Sequence, residues 1–177
     1  LDPQGKTGLA AAVGSQMPAG GAGTFSAQQF DEELDFLAAN LTMGFGPTSA
    51  SASINFLAKD TDKALDLLFD MLRRPAFQAD RFDLYRTQAL QNLERRNDNT
   101  AGIEAREWAR LIYGADHFST LPVTRASVEA ITREDLAAFH RQWVHPGNFI
   151  LAVAGDFKPE EIAAKLDARM EGWTVPA

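Results

Sequence analysis

Three histidines are the first residues to ask for chemistry: His117, His140 and His145. None belongs to an H-x-x-E-H or H-x-x-E pattern. His140 and His145 are five residues apart, so on one helix they would diverge by about 140°. That is the wrong geometry for two side chains gripping one zinc ion. They read as capping or surface histidines, His145 beside Pro146. Nucleophile chemistry fares no better. Ser49, Ser51 and Ser53 alternate as strand residues do, and no G-x-S-x-G elbow is present. Ser15 has Val13 and Met17 where an elbow needs glycine. Gly5-Lys6-Thr7, ahead of a small apolar run, looks like the end of a phosphate-cradling loop, but the earlier glycine and strand of that motif are not in the chain. The carboxylate pairs Glu32-Glu33, Glu134-Asp135 and Glu160-Glu161 fall at helix starts or wet faces. Those near a helix start complement its dipole.

Composition narrows the classes further. The chain has 177 residues, 45% hydrophobic and 23% charged, as in a globular domain. The net charge of −7 argues against nucleic acid as a partner, because phosphate contact needs a Lys/Arg surface. Without cysteine there is no disulfide scaffold, thiolate zinc site or Cys nucleophile. No apolar run approaches the length of a membrane span. The chain opens Leu1-Asp2-Pro3 with no Met and no leader pattern, so it is expected to be a processed or excised piece.

The elements that would hold any site follow from periodicity. Leu9, Ala10, Val13 and Met17 predict a helix over 8–17, broken by Pro18 and the glycines at 20, 21 and 23. Ser26 predicts an N-cap for a helix over 27–40. Alternation predicts strands at 41–46 and 50–58. Helices are predicted from 60 or 61 to the stop at Pro75, over 79–97 and over 101–113, the last carrying Ile103, Trp108 and Leu111. Residues 114–131 read as a loop. Thr132 and Asp135 predict a capped helix to Trp143. The run Phe149-Ile150-Leu151-Ala152-Val153-Ala154 predicts a short buried strand, and Pro159 opens a last helix over 159–172. The expected fold is α+β: an antiparallel-containing sheet with helices packed on one face.

Several stretches, taken in order, resemble one family. They are Asp2-Pro3-x-Gly5-Lys6-x-Gly8-Leu9-Ala10, Leu65-x-Leu67-Leu68-x-x-Met71-Leu72-x-x-Pro75-x-Phe77 and Tyr113-Gly114-x-x-His117. Two more are Ser127-Val128-x-x-Ile131-Thr132-x-Glu134-Asp135-Leu136-x-x-Phe139 and Pro146-x-Asn148-x-x-Leu151-Ala152-Val153-x-Gly155-Asp156-Phe157. The set resembles the pitrilysin/insulinase family of zinc peptidases, which includes mitochondrial processing peptidase.

The resemblance implies one amino-terminal-type half-domain over 1–177, expected to lack its usual first strands. It implies a family zinc site with H-x-x-E-H on the first helix and a distal Glu on a later one. Here Ala11, Gly14 and Ser15 stand at the motif positions, and the distal Glu falls at Gln91 or Asn92, with Glu94 close by. The resemblance therefore implies a non-catalytic subunit or domain with no catalytic residues and no zinc of its own. Zinc would sit in a partner: a homologous subunit or second half-domain that helps enclose a peptide-binding chamber. Peptide substrate is the implied ligand. The alternatives are a structural assembly subunit with no peptidase role, or a chain that counts as a zinc protease by family alone. The family's peptide-pairing strand matches Thr42, Met43, Gly44 and Phe45, with Pro47 limiting how far pairing can run. The bland alternative is that the glycines there only form a bulge or turn.

Overall fold

The computed structural model describes residues 2–46 and 48–175; the expectation for Pro47 lies outside them. The first helix, α1 (Leu9–Ala19), has Gly8 at its N-cap, with φ of 103° and no capping side chain. Asp2 takes over that role from a distance. Its carboxylate accepts hydrogen bonds from the Gly8 and Ala10 N–H groups, both at 2.7 Å. The anion-binding amides that a phosphate would need are therefore already taken. Lys6, the cation of the same loop, pairs with Asp135 at 2.5 Å.

Ser26 and Gln29 form a capping box for α2 (Ala27–Phe36), which buries Phe30 completely. This helix stops four residues earlier than the sequence suggested. Ala38 takes a positive φ of 47°, and the Ala39 N–H donates back to Leu34 O, turning the chain into the sheet. The sheet is an antiparallel pair, β1 (Asn40–Phe45) and β2 (Ala50–Asn55), in the register Leu41↔Ile54, Met43↔Ala52, Phe45↔Ala50. The second strand ends at Asn55, short of the expected 58, where a 3-10 turn over 58–60 leads into the next helix. Leu41, Met43 and Phe45 face inward and pack against the core, while Asn40, Thr42 and Gly44 face out.

Apolar residues at helical spacing make α3 (Thr61–Arg73) strongly amphipathic, burying Leu65, Phe69, Met71 and Leu72 among others. The helices α4 (Ala79–Arg95) and α5 (Thr100–Tyr113) are mostly wet: α4 buries only Phe82 and α5 buries nothing. Trp108 and Leu111 of α5 are exposed rather than packed inward. Between them and the next predicted helix the structure adds α6 (Arg125–Ala130), capped by Thr124 and Ser127. Six residues are too few to show a period, and Ser replaces the Glu or Gln that would mark the box in sequence. Then come α7 (Arg133–Trp143), with its Thr132–Asp135 box, and α8 (Pro159–Met170). The core lies where α1 is covered by β1, α3, α4 and α7, centred on Leu9, Val13, Met17, Phe30, Met71 and Leu136. Each such side chain contributes about 1.5–3 kcal/mol by leaving water.

One predicted element does not form. Residues 149–154 make no ladder and are not buried: Ile150 is 97% exposed. A strand exists only by pairing, and among the described residues β1 and β2 pair solely with each other. The α+β class holds, with a two-stranded sheet carrying helices on its inner face.

Candidate functional site

The positions singled out by the H-x-x-E-H comparison diverge on α1. Ala11 and Ser15, one turn apart, are exposed toward α4. Gly14 is buried and faces β1, where an ideal Cβ would lie 3.1 Å from the Phe45 amide nitrogen. Ser15 shares a cleft of about 400 Å³ with Tyr85, Gln88 and Asn92 of α4, closed at one side by Val123. Ala11 lines a smaller cavity of about 70 Å³ that shares Tyr85, Ala89 and Val123 with the first. Tyr85, Gln88 and Asn92 recur at helical spacing, so one face of α4 presents all three. Gln91 is exposed outside that lining.

Glu94 does not complete the cleft. It pairs with Arg125 at 2.7 Å and lines a separate depression with Arg96 and Asn97. Two residues beyond Asn92 on a helix is about 200° around the axis, so Glu94 belongs to another face.

The groups in the cleft are a hydroxyl, two carboxamides and a phenol. Burial, followed by the nearby Asp2 carboxylate, pushes the Tyr85 phenol above its ordinary range, so it remains a neutral donor. A zinc ion held by protein takes imidazole, thiolate or carboxylate ligands. Ser15, Gln88 and Asn92 are none of these, so the residues present do not fit the family's metal. Among the described residues no three His, Asp or Glu side chains come together elsewhere. What the cleft can do is hydrogen-bond neutral polar groups such as peptide amides. Sequence reasoning passed over Tyr85 and Gln88, although their spacing from Asn92 was visible.

The histidines are structural, and two are less exposed than expected. His140 is buried, with Nε2 2.8 Å from Leu72 O and its ring edge-on to Phe77. Burial holds its pKa below the usual histidine range. His145 is also buried, with Nε2 3.1 Å from Asn148 Nδ2. His117 stacks on Tyr113 and Phe118 at the surface.

The strand stretch Thr42, Met43, Gly44, Phe45 lies within β1, in regular register. Gly44 pairs with Ser51, has no positive φ, and would meet nothing within 4 Å with an added Cβ. It forms neither bulge nor turn. The Gly46 N–H donates to Ser49 O at 2.7 Å. Antiparallel pairs alternate between bonded and non-bonded. The peptide groups of Thr42 and Gly44 therefore face β2, and those of Leu41, Met43 and Phe45 face the outer edge.

Comparison with known proteins agrees with this picture. Residues 130–176 match the family model described as Peptidase M16 inactive domain. The chain is 30% identical over 110 residues to an uncharacterized zinc protease of Mycobacterium leprae, covering 61% of this chain and 24% of that protein. In fold it is similar to the crystal structure of a peptidase M16 inactive domain from Pseudomonas fluorescens, with TM-score 0.87 and 21% identity over 98% of this chain and 42% of that one. It is also similar to a protease from Helicobacter pylori, with TM-score 0.83 and 17% identity over 99% of this chain and 44% of that one. The periplasmic protease PqqL from Escherichia coli follows, with TM-score 0.79 and 12% identity over 99% of this chain and 20% of that one. The chain thus spans less than half the length of each. The resemblance read from its motifs is borne out: residues 130–176 match the Peptidase M16 inactive domain model, and the chain, which carries no H-x-x-E-H motif, is similar in fold over nearly its whole length to solved structures of that kind.

Proposed function

We propose that this chain is a non-catalytic part of a pitrilysin-type assembly, helping to form a peptide-binding chamber with a zinc-bearing homologous subunit or half-domain. The observation that carries the reading is that Ser15 and Asn92, which stand where the resemblance puts the family's ligands, line one cleft. Neutral groups there can bind a peptide but cannot hold the metal or activate its water. The outer edge of β1 supports peptide binding: Leu41 and Met43 present unpaired main chain, and strand addition needs little side-chain identity. At Phe45 the same edge runs close to Gly14.

The test is reconstitution with a homologue carrying H-x-x-E-H. The mixture is expected to co-elute and to cleave unstructured peptides, while this chain alone cleaves none. Met43→Pro removes one outward N–H without touching the ladder to β2, and should raise KM while leaving assembly intact. Proteolysis by this chain alone, or no change with Met43→Pro in an active pair, would reject the corresponding half of the reading.

A further inference from the structure

The apolar side of α5 points into solvent. Trp108 is 63% exposed, Leu111 78% and Ile112 57%, and no residue of the helix is buried. At about 100° per residue, Ala101, Ala105, Trp108, Leu111 and Ile112 share one side of the rod, and Arg106 and Arg110 the opposite one. The opposite side holds the helix to the body: Arg106 donates to Asn97 Oδ1 at 2.9 Å and to Arg96 O at 3.4 Å. At the C-terminal end Tyr113 stacks on His117 and His117 on Phe118, and both Tyr113 and Phe118 are more than half exposed.

A helix of 14 residues with nothing buried is marginal in water, because most helical stability comes from packing an amphipathic face. The Asn99 side chain caps its start, but among the described residues nothing covers its apolar side. The patch also has the size of a docking surface. At these exposures Trp108, Leu111, Ile112, Tyr113 and Phe118 together offer on the order of 400–500 Å². One side of a standard interface buries about 800 Å², a little over half of it apolar.

Charge selects the occupant. Glu104 and Glu107 flank the stripe on its Leu111 side, and no Lys or Arg of α5 shares that side. Glu104 pairs with no cation among the described residues, and Glu107 meets only Arg110, at 3.9 Å. A second copy laid antiparallel through Trp108 would set this acidic flank against its own counterpart, between chains that each carry a net charge of −7. The main chain of α5 is engaged in its own hydrogen bonds, so the face offers side chains alone. A strand laid on it would bury unpaired peptide groups against apolar carbon, whereas a helix arrives with its own bonds made.

We propose that the outer face of α5 docks a basic amphipathic helix of a partner protein. Apolar residues of that helix at i, i+3, i+4 and i+7 pack on Trp108, Leu111 and Ile112, and its Lys or Arg side chains lie against Glu104 and Glu107. An acidic helix with the same apolar pattern is rejected by like charge. The surface shares no residue with the α1–α4 cleft and does not depend on a peptide entering there.

Two synthetic helical peptides test this on the 177-residue chain: one of leucine and lysine with leucines at that spacing, and one with glutamate in place of lysine. Titration calorimetry and hydrogen exchange read the binding. The lysine peptide should bind and slow exchange along α5, and the glutamate peptide should bind at least tenfold more weakly. Trp108→Ala should weaken the lysine peptide at least tenfold, the scale of a central aromatic anchor. Glu104→Lys with Glu107→Lys should reverse the preference between the two peptides. All three side chains are exposed, so the fold should survive, which circular dichroism checks. Phe36→Ala, which removes an exposed ring from α2, should leave binding as it was. Equal binding of the two peptides, binding that survives Trp108→Ala, or no binding at about 0.1 mM would overturn the proposal. So would a dimer in sedimentation that Trp108→Ala dissolves, which would give the face to a second copy.

Discussion

Gly14 and Phe45 meet where α1 crosses β1: an ideal Cβ at Gly14 would stand 3.1 Å from the Phe45 amide nitrogen and 3.1 Å from its ring. The contact sets how close the first helix comes to the sheet, and the neighbouring Phe45 ring packs edge-on against Phe139 at 5.5 Å. A side chain at position 14 must push one of these partners.

Rebuilding the zinc motif is therefore expected to fail. Gly14→Glu alone should destabilise the chain by about 1–3 kcal/mol, the range for overpacking a filled site. The triple variant Ala11→His, Gly14→Glu, Ser15→His should bind no stoichiometric zinc, because Asn92 opposite Ser15 supplies an amide. Elemental analysis and thermal melts read both effects. One tightly held zinc per chain in the triple variant would show that a ligand comes from elsewhere.

Asp2 should matter far more than its place near the chain end suggests. Asp2→Ala removes the acceptor for two helix-end amides, and caps of this kind are worth about 0.5–2 kcal/mol. A drop of roughly 2–4 °C per kcal/mol follows for a chain of this size. An unchanged melting temperature would mean that water caps α1 equally well.

Gly44→Val should leave folding intact. Position 44 has open space, ordinary strand backbone and an outward side. Val favours strands, so stability should change by no more than about 0.5 kcal/mol. Loss of folding would reveal a backbone constraint that the register does not contain. Peptide binding is the informative readout: the outward Val side chain crowds whatever pairs with β1.

Acid should weaken the fold through His140. Burial depresses its folded-state pKa, and the bond to Leu72 O only partly offsets this. The unfolded chain then binds a proton more readily, so stability is full above the unfolded value of about 6.5 and is lost as pH falls toward the folded one. His140→Gln should flatten that decline in denaturant melts taken across the window. A slope that survives the substitution would move the effect to other groups. Asp135 acts lower on the scale. Burial raises its pKa, but Lys6 and the Thr132 amide and hydroxyl outweigh this and hold it below the usual carboxylate range.

The sequence by itself determined the elements that carry local signals. Ser26 and Thr132 cap their helices with their own side chains, the period of 61–73 marks α3, and the serine–alanine alternation marks β2. The ordered motifs carried the family resemblance, and Ala11, Gly14 and Ser15 already spoke against zinc, since ligand chemistry depends on residue type. What only the tertiary structure decided were relations between distant residues. It put Asn92, not Gln91 or Glu94, opposite Ser15, because one step along a helix turns a side chain by about 100°. It hid His140 against Leu72 O, a partner 68 residues away. It also left 149–154 unpaired, because an apolar run specifies a preference for a sheet, while the strand beside it must come from another part of the fold or another chain.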